Sequence, residues 1–217
     1  MLRSVSQSIG GVLAAVVAAA GIAAKAQDRQ LQPSSSWQMF YDNESCDLSR
    51  RFGEGEERLT LYLQQFAPGD SFEARLVGAP LGRERVLRRA EVQFQTQEAY
   101  KLTSLRIVKS TDGDPVLLAG VLSLEPWDYV AKQLRPITPV EAAAITNVAF
   151  KLPGEPRLVL AIGLFSKVRD AMRSCMDDLV RHWGLDPAAV RDLRSRPVPI
   201  ASLEWISSHD YPSPLQR

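Results

Sequence analysis

The sequence predicts an α+β protein, in which an antiparallel β-rich body packs against one long amphipathic helix towards the C-terminus. Between residues 37 and 122, short segments alternate apolar and polar residues with the period of half-buried strands. Turn-forming Gly, Pro and Asp residues separate these segments. A later segment, Phe165 to Trp183, has apolar residues at helical spacing. We expect the strands to form a sandwich-like or curved sheet.

Residues 1–26 have the pattern of a secretory signal peptide. Arg3 supplies one positive charge, and the apolar run from Ile9 to Ala24 is followed by the small-x-small sequence Ala24-Lys25-Ala26. The run is shorter than the roughly 20 residues of a membrane-spanning helix. We therefore predict cleavage after Ala26 and export to the periplasm; the alternative is an uncleaved anchor.

Composition and charge define the rest of the chain. Residues 27–36 are polar, with Pro33 and three serines, and we expect a flexible lead-in that packs against nothing. Residues 37–196 form the single predicted domain, and residues 197–217 a proline-rich extended tail. The formal net charge is +1, which argues against a nucleic-acid or anionic-membrane surface. The expected partner is a periplasmic or envelope protein, with no membrane insertion after cleavage.

The predicted strands cover the first half of the domain and two segments of the second. Their bounds are Trp37–Tyr41, Arg58–Phe66, Phe72–Val77, Ala90–Thr96, Leu105–Val108, Pro115–Leu122, Val148–Leu152 and Arg157–Ile162. The run from Arg83 to Arg89 is the densest basic segment, and we interpret it as a solvated connection between strands.

Helix signals concentrate in the second half. Thr138-Pro139-Val140-Glu141 combines a capping hydroxyl, proline at the first helical position and an acid placed to reach back. From Phe165 to Trp183 the predicted apolar face consists of Val168, Ala171, Met172, Cys175, Met176, Leu179, Val180 and Trp183. Arg169 falls on the predicted polar face. Gly184 ends this helix, and a shorter one follows from Pro187 to about Leu193.

Motifs for catalysis, cofactors or metals are not found. His182 and His209 are the only histidines, and the interpretation is that both are exposed. Asp112-Gly113-Asp114 has too few ligands for calcium and predicts a hairpin turn. We therefore predict no catalytic residue, no metal ligand and no cofactor.

Two functional hypotheses remain. The first is a non-catalytic binding module, for which Trp127 and Tyr129 are a candidate binding surface, although such residues more often cover a core edge. The second is a periplasmic hydrolase whose site is assembled from scattered residues. Its candidates are Asp177, Asp178 or Glu141 with Arg50 or Arg51.

The two cysteines are predicted to form one disulfide. Cys175 lies on the apolar face of the long helix, and Cys46 follows the first predicted strand. An exported protein folds in an oxidising compartment, where such a pair becomes bridged. Two free thiols, or a reactive Cys175, are the alternatives.

Three short motifs suggest a family. They are Trp37 with the segment Cys46–Gly53, Cys175–Val180 with Trp183–Pro187, and Trp205 with Asp210-Tyr211-Pro212. Together they resemble the periplasmic N-terminal region of TonB-like proteins of Gram-negative bacteria. In that family the region precedes a TonB C-terminal domain, which engages outer-membrane transporters. The resemblance implies a periplasmic accessory module linked to TonB-type envelope transport.

The chain departs from the family pattern after Tyr211-Pro212, a pair that resembles the entry to the TonB C-terminal domain. Only five residues follow, Ser213 to Arg217, so these residues do not include that domain. We expect the chain to be either the front domain of a longer product or a stand-alone relative. Energy transduction is therefore not assigned to these residues. A looser resemblance is to invasion-associated-locus-B-type periplasmic proteins, which also combine a β-rich body with scattered cysteines.

Overall fold

The structure is a computed structural model that describes residues 28–191, except positions 96, 98, 103, 104, 129, 131 and 132. The predicted signal peptide, the tail from residue 197 and His209 lie outside the described residues. The described part contains a seven-stranded sheet, a five-stranded sheet, a two-stranded sheet and three α-helices. The α+β class is confirmed.

The strands and helices have the following bounds. In chain order the strands are β1 (Arg29–Leu31), β2 (Gln38–Tyr41), β3 (Cys46–Phe52), β4 (Leu59–Gln65), β5 (Ser71–Val77), β6 (Arg85–Leu87), β7 (Ala90–Phe94), β8 (Tyr100–Leu102), β9 (Leu105–Lys109), β10 (Pro115–Ser123), β11 (Trp127–Asp128), β12 (Gln133–Leu134), β13 (Val148–Lys151) and β14 (Leu158–Leu160). The helices are α1 (Pro139–Ala144), α2 (Phe165–His182) and α3 (Pro187–Arg191).

The seven-stranded sheet is antiparallel throughout, in the order β2-β3-β4-β5-β10-β9-β6. Along β4 and β5 the predicted alternation holds, since Leu61, Leu63 and Leu76 are buried while their sequence neighbours are more exposed. A bulge in β10 between Leu118 and Gly120 shifts the register by one residue. Gly120 has φ 70°, a left-handed conformation that glycine adopts without strain.

The five-stranded sheet has the order β1-β14-β13-β7-β8, so strands from both halves of the chain lie side by side. Its first strand corrects the prediction of a flexible lead-in over residues 27–36. Arg29 to Leu31 pair in parallel with β14, and Leu31 is buried. The Arg29 N–H donates to the Arg157 carbonyl at 2.8 Å. The polar composition of this segment hid the single apolar residue that anchors it.

The hydrophobic core joins both sheets to α2. Phe165, the first residue of α2, contacts Phe72 of β5 edge-on with ring centroids 6.0 Å apart. It also contacts Phe94 of β7, at 5.8 Å. Six apolar residues of the predicted stripe are buried along the same helix: Val168, Met172, Cys175, Met176, Leu179 and Val180. Ala171 and Trp183, which were predicted to belong to the stripe, are exposed. One buried cluster therefore includes the two larger sheets and α2.

Arg169 corrects the predicted polar face of α2, because it is only 6% exposed. Its guanidinium donates to both carboxylate oxygens of Asp70, at 2.7 and 2.9 Å. Asp70 is itself 3% exposed and also accepts from Arg173 at 3.0 Å. The charge of Arg169 is tolerated inside because it is paired in a two-bond geometry.

Two further elements match or correct the sequence analysis. The N-terminus of α1 is the predicted capping box, with both the Thr138 side chain and the Glu141 side chain bonded across it. The basic segment 83–89, interpreted as a connection, contains β6 at the edge of the seven-stranded sheet.

Among the described helices, none is long and apolar enough to cross a membrane.

Candidate binding site

The predicted disulfide between Cys46 and Cys175 is confirmed. Their Cα atoms are 6.1 Å apart, within the range that a bridge requires, and both residues are buried. Cys46 is the first residue of β3, directly after the β2–β3 hairpin turn, and Cys175 lies in the middle of α2. The bridge therefore holds the second half of α2 against one end of the seven-stranded sheet.

A cavity of about 180 Å³ opens beside this disulfide. One wall belongs to the β2–β3 hairpin and the other to the second half of α2. The lining residues are Tyr41, Asp42, Asn43 and Cys46 from the hairpin, and Cys175, Asp178, Leu179 and His182 from the helix. His182 is exposed, as the sequence analysis expected.

A hydrogen bond from Trp183, the residue directly after α2, also joins the two walls. The Trp183 indole N–H donates to the Asn43 carbonyl at 3.2 Å. Trp183 nevertheless stays 42% exposed, and Leu185 beyond it 53%. On β2, Phe40 is 54% and Tyr41 67% exposed. This end of the molecule therefore presents large apolar side chains to solvent, a property typical of interaction surfaces.

The cavity lining is acidic. Asp42 and Asp178 are its carboxylates, and no lysine or arginine is among the described residues that line it. Each carboxylate uses its Oδ1 atom locally: Asp42 accepts from the Asn43 backbone N–H at 2.7 Å, and Asp178 from Arg181 at 2.6 Å. Within the described part of the chain, neither Oδ2 atom accepts a hydrogen bond from the protein. Both oxygens remain available to a donor that enters the cavity.

Strand β2 borders the cavity and has a single strand neighbour, β3, in the described part of the chain. The Asp42 N–H donates to the Ser45 carbonyl at 3.0 Å, so the backbone groups of Asp42 point towards β3. Backbone direction alternates along a strand in an antiparallel ladder. Phe40 therefore bonds to β3, while Met39 and Tyr41 direct their N–H and C=O groups away from the sheet.

The four outer strands of the two larger sheets differ in charge. Three of them contain a basic residue: Arg29 in β1, Arg85 in β6 and Lys101 in β8. Charged side chains on an edge strand discourage pairing with another chain. The sequence of β2, Gln38-Met39-Phe40-Tyr41, has no charge and no proline, and its pairing with β3 shows no bulge. It is the unprotected edge among the four.

The predicted surface of Trp127 and Tyr129 is not brought to this site by any described contact. Trp127 pairs with Leu134 in the two-stranded sheet. Tyr129 lies outside the described residues, so this surface stays a prediction.

Three residues of the hydrolase hypothesis, Glu141, Asp178 and Arg50, have separate partners. Glu141 binds Arg135 beside the N-terminus of α1, and Asp178 binds Arg181 on α2. Arg50 donates to the carbonyls of Ser35 and Ile162, at 2.9 and 2.8 Å. Burial lowers the pKa of Arg50, whereas Arg135 and Thr138 lower the pKa of Glu141 to about 2. These contacts give structural roles to Glu141, Asp178 and Arg50, and the hydrolase hypothesis stays a prediction.

Sequence analysis missed this site because its parts are far apart in the chain. The run Trp37–Tyr41 was recognised as aromatic-rich, but its position at a sheet edge depends on which strands pair. Asp42 and Asp178 are separated by 136 positions and meet because of the disulfide beside them. The one available signal was an aromatic strand without charge, followed directly by a turn and a cysteine.

Groups of three or more His, Cys, Asp or Glu side chains that could hold a metal ion are not found among the described residues. Comparison of the chain with protein-family models, with curated proteins and with solved structures found no match.

Proposed function

We propose that this chain is a non-catalytic binding or accessory module of the periplasm, linked to TonB-type envelope transport, and that it binds an extended segment of an envelope protein along β2. The observation that carries the proposal is the uncharged, exposed edge of β2. An extended peptide that pairs with such an edge gains main-chain hydrogen bonds and places alternate side chains on the two faces of the sheet.

The surroundings of β2 support binding of a protein segment. Large exposed apolar side chains, Phe40, Tyr41 and Trp183, are of the types enriched in protein interfaces. The Cys46–Cys175 bridge and the Trp183–Asn43 hydrogen bond fix the site on a rigid support. A preformed surface loses less conformational entropy when it binds a partner. The signal-like N-terminus and the disulfide support an exported location.

Site-specific photo-crosslinking in producing cells tests the β2 proposal. A photoreactive phenylalanine analogue would replace Tyr41, and in a control protein it would replace Val86, which is 62% exposed on the basic edge strand β6. We expect a discrete crosslinked envelope protein from position 41 and none from position 86.

A backbone variant makes the same experiment specific for strand pairing. Tyr41→Pro removes an N–H that points away from β3, and proline is tolerated at such edge positions. Excess unlabelled wild-type protein should compete for the crosslink, and the Tyr41→Pro protein should not. Equal crosslinking from both positions, or competition by Tyr41→Pro, would contradict the proposal.

A further inference from the structure

We propose that the cavity beside the Cys46–Cys175 disulfide binds the cationic side chain, lysine or arginine, of the peptide strand that pairs with β2. This inference rests on the proposed function, because the strand must first be held at the edge.

The position of the cavity at the end of β2 supports the proposal. Tyr41 and Asp42, at the end of β2, line the cavity. Tyr41 pairs with Cys46, whose side chain points to α2 through the disulfide. Directly opposed residues in a sheet lie on the same face, so Tyr41 is on the α2 side. Side chains of an added strand alternate between faces, and every second one would be directed to the side where the cavity lies.

The charge and the volume of the cavity determine which side chain of the added strand can enter it. The Oδ2 atoms of Asp42 and Asp178 accept no hydrogen bond from the described residues, and no lysine or arginine among those residues lines the cavity. Arg181 pairs with the other oxygen, Oδ1, of Asp178 from outside the lining. An ammonium or a guanidinium group carries several N–H donors on one positive charge and can donate to carboxylate oxygens in the lining. A volume of about 180 Å³ is several times the roughly 30 Å³ of one liquid water, so a side-chain end has room. The Tyr41 ring adds an aromatic surface of the kind that attracts cations.

A second copy of this chain fits the same edge less well. Two β2 strands paired around a twofold axis would align the segment Gln38–Tyr41 with itself. That segment has no lysine or arginine, so the two acidic cavities would receive no cation. The acidic lining therefore favours a basic partner segment over self-association.

Two capped peptides test the inference. Their sequence alternates threonine and valine over seven residues, and the central residue is lysine in one and norleucine in the other. Binding to the full exported chain is measured by isothermal titration calorimetry. The norleucine peptide reports pairing with β2, and the difference between the peptides reports the cavity. We expect the lysine peptide to bind wild-type protein ~5-fold more tightly, as two partly screened ion pairs allow.

Matched variants test whether the preference for the lysine peptide depends on the two carboxylates of the cavity. Asp42→Asn/Asp178→Asn keeps the shape of both side chains and should reduce the lysine preference to about 1-fold. Asp170→Asn makes the same kind of change at an exposed position of α2 outside the cavity lining, and it should keep the full preference.

The possible results separate the two proposals. Equal binding of both peptides to wild type, with loss of both in Tyr41→Pro, would overturn the cation subsite and leave pairing at β2 standing. Binding of neither peptide would overturn both. A concentration-dependent dimer that Tyr41→Pro abolishes would identify a second copy as the occupant and overturn the peptide proposal.

Discussion

Arg50 shows how one residue type can hide a strand from sequence analysis. It belongs to β3, where Cys46, Leu48 and Phe52 alternate as buried residues and Arg50 interrupts the apolar series. Its guanidinium lies over the Trp37 ring, 5.6 Å from the centroid, and binds the Ile162 carbonyl just after β14. An arginine on the inner face thus connects the two larger sheets. The period of two is present, but its charged member interrupts the apolar pattern, and the sequence analysis does not predict a strand over residues 46–52.

Asp70 is the second residue whose environment could not be predicted. Within Pro68-Gly69-Asp70 it has the composition of a solvated turn. The structure buries it beneath Arg169 and Arg173, which are four positions apart on α2 and therefore on the same face. The arginine spacing was visible in the sequence, but nothing local identified the acid that they share.

The buried ion pair predicts a large loss of stability on neutralisation of Asp70. Asp70→Asn would leave the Arg169 charge buried without its counter-ion, which typically costs about 3–5 kcal/mol of unfolding free energy. Asp178→Asn is the matched control, because it breaks an exposed pair with Arg181 and should change stability by ~0.5 kcal/mol or less. Urea denaturation at neutral pH measures both. Similar midpoints for the two variants would show that Asp70 is not a buried partner.

At the scale of elements, the capping box of α1 predicts a specific pH dependence. Hydrogen bonds from Arg135 and Thr138 hold the pKa of Glu141 at about 2, below the ordinary value of 4.5 for a glutamate carboxyl. The folded state therefore favours the ionised carboxylate. Its stabilising effect is complete above pH 4.5 and is lost as the pH falls towards 2.

The Glu141→Gln variant tests this dependence. We expect it to melt at a lower temperature than wild type at neutral pH, and the difference between the two melting temperatures should shrink as the pH falls from 4.5 to 2. Glu73→Gln is the control, because Glu73 is an exposed carboxylate of β5 with no ion pair among the described residues. A constant difference over that pH range for Glu141→Gln would contradict the role of the ionised cap.

The hydrogen-bond direction along β2 predicts that proline destabilises the protein more at position 40 than at the adjacent position 41. Phe40→Pro removes an N–H that donates to β3 and should destabilise the protein by about 1–3 kcal/mol. Tyr41→Pro removes an N–H that points away from the sheet, so a smaller loss is expected. Thermal unfolding of the two variants, compared with Phe40→Ala and Tyr41→Ala, separates backbone from side-chain effects. The reverse order would mean that Tyr41, not Phe40, bonds to β3.

The predictability of the strands followed their length and position. β4, β5 and β10 lie inside the seven-stranded sheet and bury every second residue over much of their length, so their pattern identified them. β1, β6 and β8 have three residues each and lie at edges, where one anchoring apolar residue gives too little periodicity. β2 has no second strand neighbour among the described residues, and this edge, which is central to the candidate site, depends on pairing and was not visible in any local pattern.

At the scale of the whole molecule, the division into two sheets depends on contacts between distant segments. β1 pairs with β14 and β7 with β13, so the five-stranded sheet combines the start, middle and second half of the described chain. Composition and periodicity indicate that a segment is a strand but not which strand lies beside it. The disulfide was predictable because the chain has only two cysteines, and one of them lay on an apolar helix face.

The Cys46–Cys175 bridge predicts a substantial loss of global stability on reduction. It joins positions 129 apart, and restricting an unfolded loop of that length corresponds to about 4–5 kcal/mol in the chain-entropy model. Because one buried cluster includes both larger sheets and α2, the loss should appear as one cooperative transition at a lower urea concentration. Urea titrations with and without reductant, followed by tryptophan fluorescence and circular dichroism, measure the shift. The Cys46→Ala/Cys175→Ala protein is the control and should not respond to reductant. Separate transitions by the two probes, or an unchanged midpoint after confirmed reduction, would show that the bridge does not stabilise the described fold as one unit.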